Sequence, residues 1–314
     1  MIILLSLLSL IFGIILVAKG GDFFVDSSAW IAKAAGIPSF IIGATIVSIA
    51  TTLPEMIVSC IAAHEGKIEM AIGNAVGSVT ANTALIMAIA FIFMNIVISR
   101  KGYIYQCTML ILSAAVLCFG VRDGFLRTEA SVILIAVFIL FMIFNVNHAK
   151  NSEKTVKSEL TDKSGRAVMI NAAKFVGGAA AIVVGSRFLI NGGSSLATYL
   201  GVPERIIAVT LVAVGTSIPE LVTTVTAIKK KESALSVGNI IGANIIDLSL
   251  ILPLCSLISG KKLPVNNASA MIDIPVCLGV TLIAVVPLLI KEKSEKIWGL
   301  VLLTAYSVYL VLTL

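Results

Sequence analysis

Two glutamates stand where a glutamate is costly. Glu55 ends the run Gly43-Ala44-Thr45-Ile46-Val47-Ser48-Ile49-Ala50-Thr51-Thr52-Leu53-Pro54-Glu55, and Glu220 ends Ala208-Val209-Thr210-Leu211-Val212-Ala213-Val214-Gly215-Thr216-Ser217-Ile218-Pro219-Glu220. Each run is apolar except for hydroxyls, a proline and the carboxylate. A carboxylate inside a membrane helix costs at least ~2.5 kcal/mol and marks a functional site. Proline lacks an N–H and frees the carbonyl four residues back, here Ala50 and Gly215. Irregular backbone at membrane depth survives only where it is buried or lines a cavity. Each helix is therefore expected to break near Thr51-Thr52 or Thr216-Ser217, baring oxygens beside the carboxylate. Hard cations seek that environment; calcium takes about 6–8 oxygen ligands. The motifs hold no imidazole or thiolate, which argues against zinc or copper.

Helical spacing gathers these groups. Ser48, Thr51, Thr52 and Glu55 fall at i, i+3, i+4 and i+7, on one helix face, as do Ala213, Thr216, Ser217 and Glu220. Downstream, Asn74, Ser78 and Asn82 follow at intervals of four; Asn239, Ala243 and Asp247 match them, with Asn244 alongside. Two facing helix pairs would bring Glu55, Glu220, Asn82 and Asp247 around one centre. Blander roles compete for the neighbours. A membrane hydroxyl often bonds back to its own helix. Gly73, Gly77, Gly238 and Gly242 suit close helix packing. Asp22, Asp26, Lys19 and Arg187 fall near helix ends, where snorkelling is expected, and His64 falls in a solvated loop.

The elements that must position these residues are membrane helices. The chain is 58% hydrophobic and 13% charged, against roughly 25% charged in soluble domains. Runs of about 20 apolar residues cross a bilayer. Ten stand out: 2–18, 38–63, 69–96, 103–120, 129–146, 168–190, 203–228, 233–257, 268–290 and 295–314, the first and sixth continuing to about 35 and 200. The first lacks a basic leader and has an internal counterpart, so it is expected to be a retained helix rather than a signal peptide. Residues 36–82 align with 201–247 without a gap and agree at 13 of 47 positions. One offset of 165 residues holds across both motifs, so the match is a repeat. Five spans per half is odd, so the halves enter the membrane from opposite sides. The expected architecture is an all-α membrane protein of ten transmembrane helices in two inverted five-helix repeats, 1–146 and 168–314, joined by a cytoplasmic linker at 147–167.

The formal charge of +6 reports orientation rather than a nucleic-acid partner. With the N-terminus outside, the inner loops collect 14 Lys and Arg (Lys33, Arg100, Lys101, Lys150, Lys154, Lys157, Lys163, Arg166, Lys229, Lys230, Lys231, Lys291, Lys293, Lys296). The outer loops collect six (Lys67, Arg122, Arg127, Arg205, Lys261, Lys262), which fits the positive-inside rule. Cys60, Cys107, Cys118, Cys255 and Cys277 lie in apolar segments without CxxC spacing and are expected to be small core hydrophobes.

At these motifs the chain resembles the calcium/cation antiporter superfamily, specifically the prokaryotic sodium/calcium exchangers. Residues 43–82 and 208–247 match its two alpha-repeats; the GTSxPE-type signature stands intact at Gly215–Glu220 and altered at Ala50–Glu55. The resemblance implies extrusion of calcium against about three entering sodium ions, with the bilayer and the two transported ions as partners, no cofactor, and a monomer. It implies calcium ligands at Thr51, Glu55, Thr216 and Glu220. It implies sodium sites using the carbonyls of Ser48 and Ala213 and the side chains of Thr52, Ser78, Thr216, Ser217, Glu55 and Glu220, with Asn82 and Asp247 flanking the middle site. Ala50 replaces the family's glycine, and Ala243 replaces a serine that helps ligate one sodium. Two glutamates balance one calcium, whereas three sodium ions leave one positive charge, so the cycle is expected to move net charge. Facing carboxylates repel and resist desolvation, so protons are expected to compete with the cations. The first and sixth helices are expected to slide across a fixed core.

Other functions fit less well. The same fold coupled to protons or potassium, or carrying a different divalent cation, is the alternative that Ala243 keeps open. A channel would need polar residues continuing along one pore. An intramembrane enzyme would need a nucleophile beside the two glutamates; the repeat accounts for them without one, and the protein is expected not to be an enzyme.

Overall fold

In the computed structural model, residues 2–122, 124–152, 162–201, 215–260 and 263–313 are described. The helices are α1 (Ile2–Ala35), α2 (Ser39–His64), α3 (Ile68–Phe93), α4 (Arg100–Gly120), α5 (Thr128–Ser152), α6 (Gly165–Tyr199), α7 (Ile218–Lys230), α8 (Ser233–Ser259), α9 (Ser269–Lys291) and α10 (Lys296–Thr313). Among the described residues nine of these are long and apolar enough to cross a membrane, so the chain is a multi-pass, predominantly helical membrane protein. The described part of α7 spans 13 residues, too short to cross alone at 1.5 Å per residue.

The most buried spans are α3 and α8, and α2 and α7 pack against them. Glycine sets the approach of α2 to α8. A Cβ on Gly238 would meet the Phe40 carbonyl and the Ala44 nitrogen, and one on Gly242 would fall 2.5 Å from the Ala44 carbonyl oxygen and 2.6 Å from Ser48 Oγ. The packing role expected for these two glycines is present. For Gly73 and Gly77 no close described neighbour occurs; they line a cavity of about 350 Å³ with Asp273, Tyr306 and Tyr309.

At the periphery α1 and α6 run antiparallel, with Gly13 against Gly185, Gly20 against Gly178 and Ser6 against Gly192. Phe12 meets Phe188 edge-on, and Ser9 Oγ donates to the Phe188 carbonyl at 2.8 Å. One end of α1 is tied to α7: Lys230 Nζ lies 2.7 Å from Asp26 and 3.6 Å from Asp22. This corrects the snorkelling expected for both aspartates, because a cation on the neighbouring helix is in reach.

Among the described residues four helices carry a π-helical turn: Gly43–Val47 in α2, Asn82–Met87 in α3, Asp247–Ile251 in α8 and Ser269–Asp273 in α9. Such turns often mark functional sites. Those in α3 and α8 begin at Asn82 and Asp247, which the 165-residue offset equates.

Two further features of the fold differ from the sequence reading. The segment 147–167 is not all linker: α5 stays helical through Ser152 and α6 starts at Gly165; residues 153–161 lie outside the described set. Also, three short strands, β1 (Val121–Arg122), β2 (Phe125–Leu126) and β3 (Leu263–Pro264), form an antiparallel sheet between helix ends. The β1–β2 loop contains Gly124 at φ 73°, a left-handed conformation that glycine adopts at little cost. All five cysteines are free; Cys107, Cys255 and Cys277 are buried as expected, whereas Cys60 and Cys118 are half-buried.

Candidate ion-binding site

The first proline helix does not break where the sequence suggested. From Ser48 to His64 the backbone is α-helical with Pro54 inside it, and the irregular turn falls earlier, at Gly43–Val47. Ala50 is a strong helix former, and proline deletes a single hydrogen bond, so the helix holds through Thr51-Thr52. In the second half glycine precedes the hydroxyls. There Thr216 and Ser217 form a turn, Ser217 has φ −86° and ψ 8°, and α7 starts behind it with Pro219 in its first turn. Proline at a helix start costs no hydrogen bond. Glu220 sits in that first turn, where the helix dipole favours a negative charge.

Ser48, Thr51, Thr52 and Glu55 are all buried, as one helix face turned inward requires. Glu55, Glu220 and Asp247 are each 1% exposed. Glu220 and Asp247 both lie close enough to act electrostatically on Glu55, and Glu220 on Asp247. Both oxygens of Glu55, both of Asp247 and Oε2 of Glu220 have no hydrogen-bond partner among the described residues. Ser78 Oγ, Asn82 Oδ1, Ser217 Oγ, Asn239 Nδ2 and Asn244 Oδ1 are also buried and unpartnered. Buried polar atoms are normally paired, and an unpaired buried charge costs several kcal/mol. Nine of these ten atoms are oxygens, carried by α2, α3, α7, α8 and the turn before α7, and a cation would satisfy them, whereas Asn239 Nδ2 is a donor.

The remaining bonds hold this cluster in place. Thr52 Oγ1 donates to Glu220 Oε1 at 3.5 Å, joining the two proline helices. Thr51 Oγ1 lies 3.1 Å from Asn239 Oδ1 and 3.3 Å from the Ser48 carbonyl. Ser48 Oγ donates to the Thr45 carbonyl at 3.0 Å. Asn74 Nδ2 donates to the Glu55 carbonyl at 3.2 Å and to Ser59 Oγ at 2.9 Å, pinning the backbone that carries Glu55. Thr216 is half-buried in the turn. Ala213 lies outside the described residues. Of the groups expected to converge, Glu55, Glu220 and Asp247 are in electrostatic reach of one another, and Asn82 opens the π-helical turn of α3. The sequence reading did not assign the tether made by Asn74 or the π-helical turns; Asn74's spacing of four before Ser78 was the available signal.

Fold and cluster together define a multi-pass membrane protein with a buried anionic, oxygen-lined centre suited to hard cations. Comparison with known proteins narrows the class. The model of the sodium/calcium exchanger protein family matches residues 5–147 and 170–314, and the chain belongs to that family. It is 33% identical to the uncharacterized membrane protein MJ0091 of Methanocaldococcus jannaschii, over 81% of this chain and 82% of that protein. It is 29% identical to the sodium/calcium exchanger MaX1 of Methanosarcina acetivorans, over 98% of each. Among solved structures it is similar to the sodium-calcium exchanger NCX_Mj soaked with Na+ and Sr2+, with TM-score 0.83, 28% identity and 98% of each chain covered.

Proposed function

We propose that the protein is a secondary antiporter that exchanges calcium for sodium across the membrane by alternating access, extruding calcium. The observation that carries this reading is the buried cluster of three carboxylates with unpartnered oxygens. Two glutamates offset the charge of one calcium, and the hydroxyl and amide oxygens around them supply neutral ligands. Thr51, Glu55, Thr216 and Glu220 hold calcium. Sodium uses the Ser48 and Ala213 carbonyls with Thr52, Ser78, Thr216, Ser217 and both glutamates, and Asn82 and Asp247 flank the centre.

The halves 1–146 and 168–314 form two inverted five-helix repeats, and α7 with the apolar run from 203 makes the tenth span. The α1–α6 contact supports the inversion. An offset of 165 carries Gly13 to Gly178 and Gly20 to Gly185, and each glycine packs on the counterpart of the other, as a two-fold axis requires. These helices are the elements that slide. The N-terminus lies outside and the lysine-rich linker is cytoplasmic.

The test is calcium uptake into reconstituted vesicles loaded with sodium, potassium or protons. Sodium-loaded vesicles should take up calcium fastest. Uptake driven equally by potassium or protons would move the assignment to the reading that Ala243 keeps open, the same fold with a different coupling ion.

A further inference from the structure

Eight residues contribute the unpartnered atoms of the cluster, and two of them, Asn239 and Asn244, have no ligand role so far. Asn239 leaves its Nδ2 unpartnered, a donor that no cation can use. Asn244 leaves its Oδ1 unpartnered, an acceptor, and the residue is 0% exposed. Its Nδ2 donates to Thr83 Oγ1 at 2.8 Å, which orients the amide across the α3–α8 contact. Thr83 follows Asn82 in the π-helical turn of α3, and Asn244 precedes Asp247 by three residues, on a neighbouring position of the same helix side. The free oxygen therefore belongs to the level of Asn82 and Asp247.

The repeat gives an independent argument. The 165-residue offset equates Ser78 with Ala243, Val79 with Asn244 and Thr83 with Leu248. The first half has a hydroxyl followed by an apolar residue. The second half lacks the hydroxyl and has an amide at the next position, with a threonine on the facing helix to hold it. Each half thus offers one side-chain oxygen within the same two positions.

We propose that Asn244 Oδ1 is a ligand of a transported monovalent cation, supplying the oxygen absent at Ala243. One carboxylate, Asp247, beside two neutral amide oxygens, Asn82 and Asn244, carries the charge that matches sodium rather than calcium. The proposal rests on the sodium/calcium exchange reading above. Thr83 is a positioning residue: it touches the amide rather than the ion.

The test is the sodium dependence and the calcium dependence of exchange in reconstituted vesicles, measured for wild type, Asn244→Leu, Asn244→Asp, Ala243→Ser and Ala243→Ser/Asn244→Leu. Loss of one neutral oxygen should weaken apparent sodium affinity by up to about tenfold, with calcium affinity moving less than about threefold. Asn244→Asp keeps an oxygen and should keep or tighten sodium affinity; a loss there like that of Asn244→Leu overturns the proposal. Ala243→Ser alone should change sodium affinity little, and in the double variant its hydroxyl should restore much of what Asn244→Leu lost. A structural asparagine would not be rescued that way. Sodium affinity unchanged in Asn244→Leu means that the amide meets only water and overturns the proposal. Equal loss of sodium and calcium affinity without rescue also overturns it. If Asn244→Leu does not fold, Ala243→Ser decides, because a large gain in sodium affinity means that the oxygen was missing. A wild type that transports calcium without any response to sodium refutes the exchange reading itself, before any variant is made.

Discussion

Replacing Glu55 with glutamine removes a charge but changes almost no shape. Neither side-chain oxygen of Glu55 has a hydrogen-bond partner among the described residues, and the residue is 1% exposed. Its backbone carbonyl, held by Asn74 at 3.2 Å, is untouched. Glu55→Gln therefore breaks no side-chain hydrogen bond and relieves repulsion from Glu220 and Asp247, so ion-free stability should stay within about 2 kcal/mol of wild type. Calcium binding should respond very differently. Removing one partner of a buried charge pair costs about 3–5 kcal/mol, roughly 150- to 4,000-fold in affinity. At calcium 100 times the wild-type dissociation constant, binding stabilises wild type by about 2.7 kcal/mol, whereas the variant should gain less than about 0.4 kcal/mol. Chemical unfolding in detergent, with and without calcium, reads both quantities, and flux from vesicles reads transport. A variant that folds and keeps both its calcium-dependent stabilisation and near-normal flux would refute the assignment of Glu55.

Other outcomes follow from the same geometry. Gly238→Ala places a Cβ against the Phe40 and Ala44 backbone of α2, so it should cost about 1–3 kcal/mol and weaken calcium affinity by shifting the helix that bears Glu55; thermal unfolding and calcium titration check this. Lys230→Gln removes the pair with Asp22 and Asp26, which is partly exposed and worth about 1 kcal/mol or less. A cysteine at Thr226, where α7 meets Gly21 of α1, should then react roughly two- to fivefold faster with a thiol reagent, and an unchanged rate would show that the ion pair does not hold α1. A single cysteine at the exposed Lys163, in a chain without the five native cysteines, should resist impermeant reagent in intact cells; rapid labelling would invert the topology.

Helix positions were legible because twenty-residue apolar runs have few alternative folds, and the described spans begin and end within a few residues of their apolar runs, except that α5 continues to Ser152. The inward face of α2 was legible from the spacing Ser48, Thr51, Thr52 and Glu55. The break at Thr51-Thr52 was not, because the hydrogen bond that Pro54 deletes and the helix propensity of Ala50 pull in opposite directions. With alanine the helix continues, and with Gly215 in the second half the chain turns. The π-helical turns at Asn82 and Asp247 leave no periodic signature, since one extra residue per turn is hidden in a uniformly apolar stretch. The Lys230 pair could not be read either, because it joins α1 to α7 across some 200 residues. The β1–β2 hairpin did leave a sign, since Asp-Gly is a common hairpin pair, but its strands of two residues are too short to show alternation.

The most direct measurement follows calcium entry and sodium exit from the same reconstituted vesicles with two isotopes. If the buried carboxylates serve both ions in turn, neither flux should run without the other ion on the opposite side, and Glu220→Gln should stop both together. Calcium entry without sodium exit, or sodium exit that ignores external calcium, would contradict exchange at a shared site.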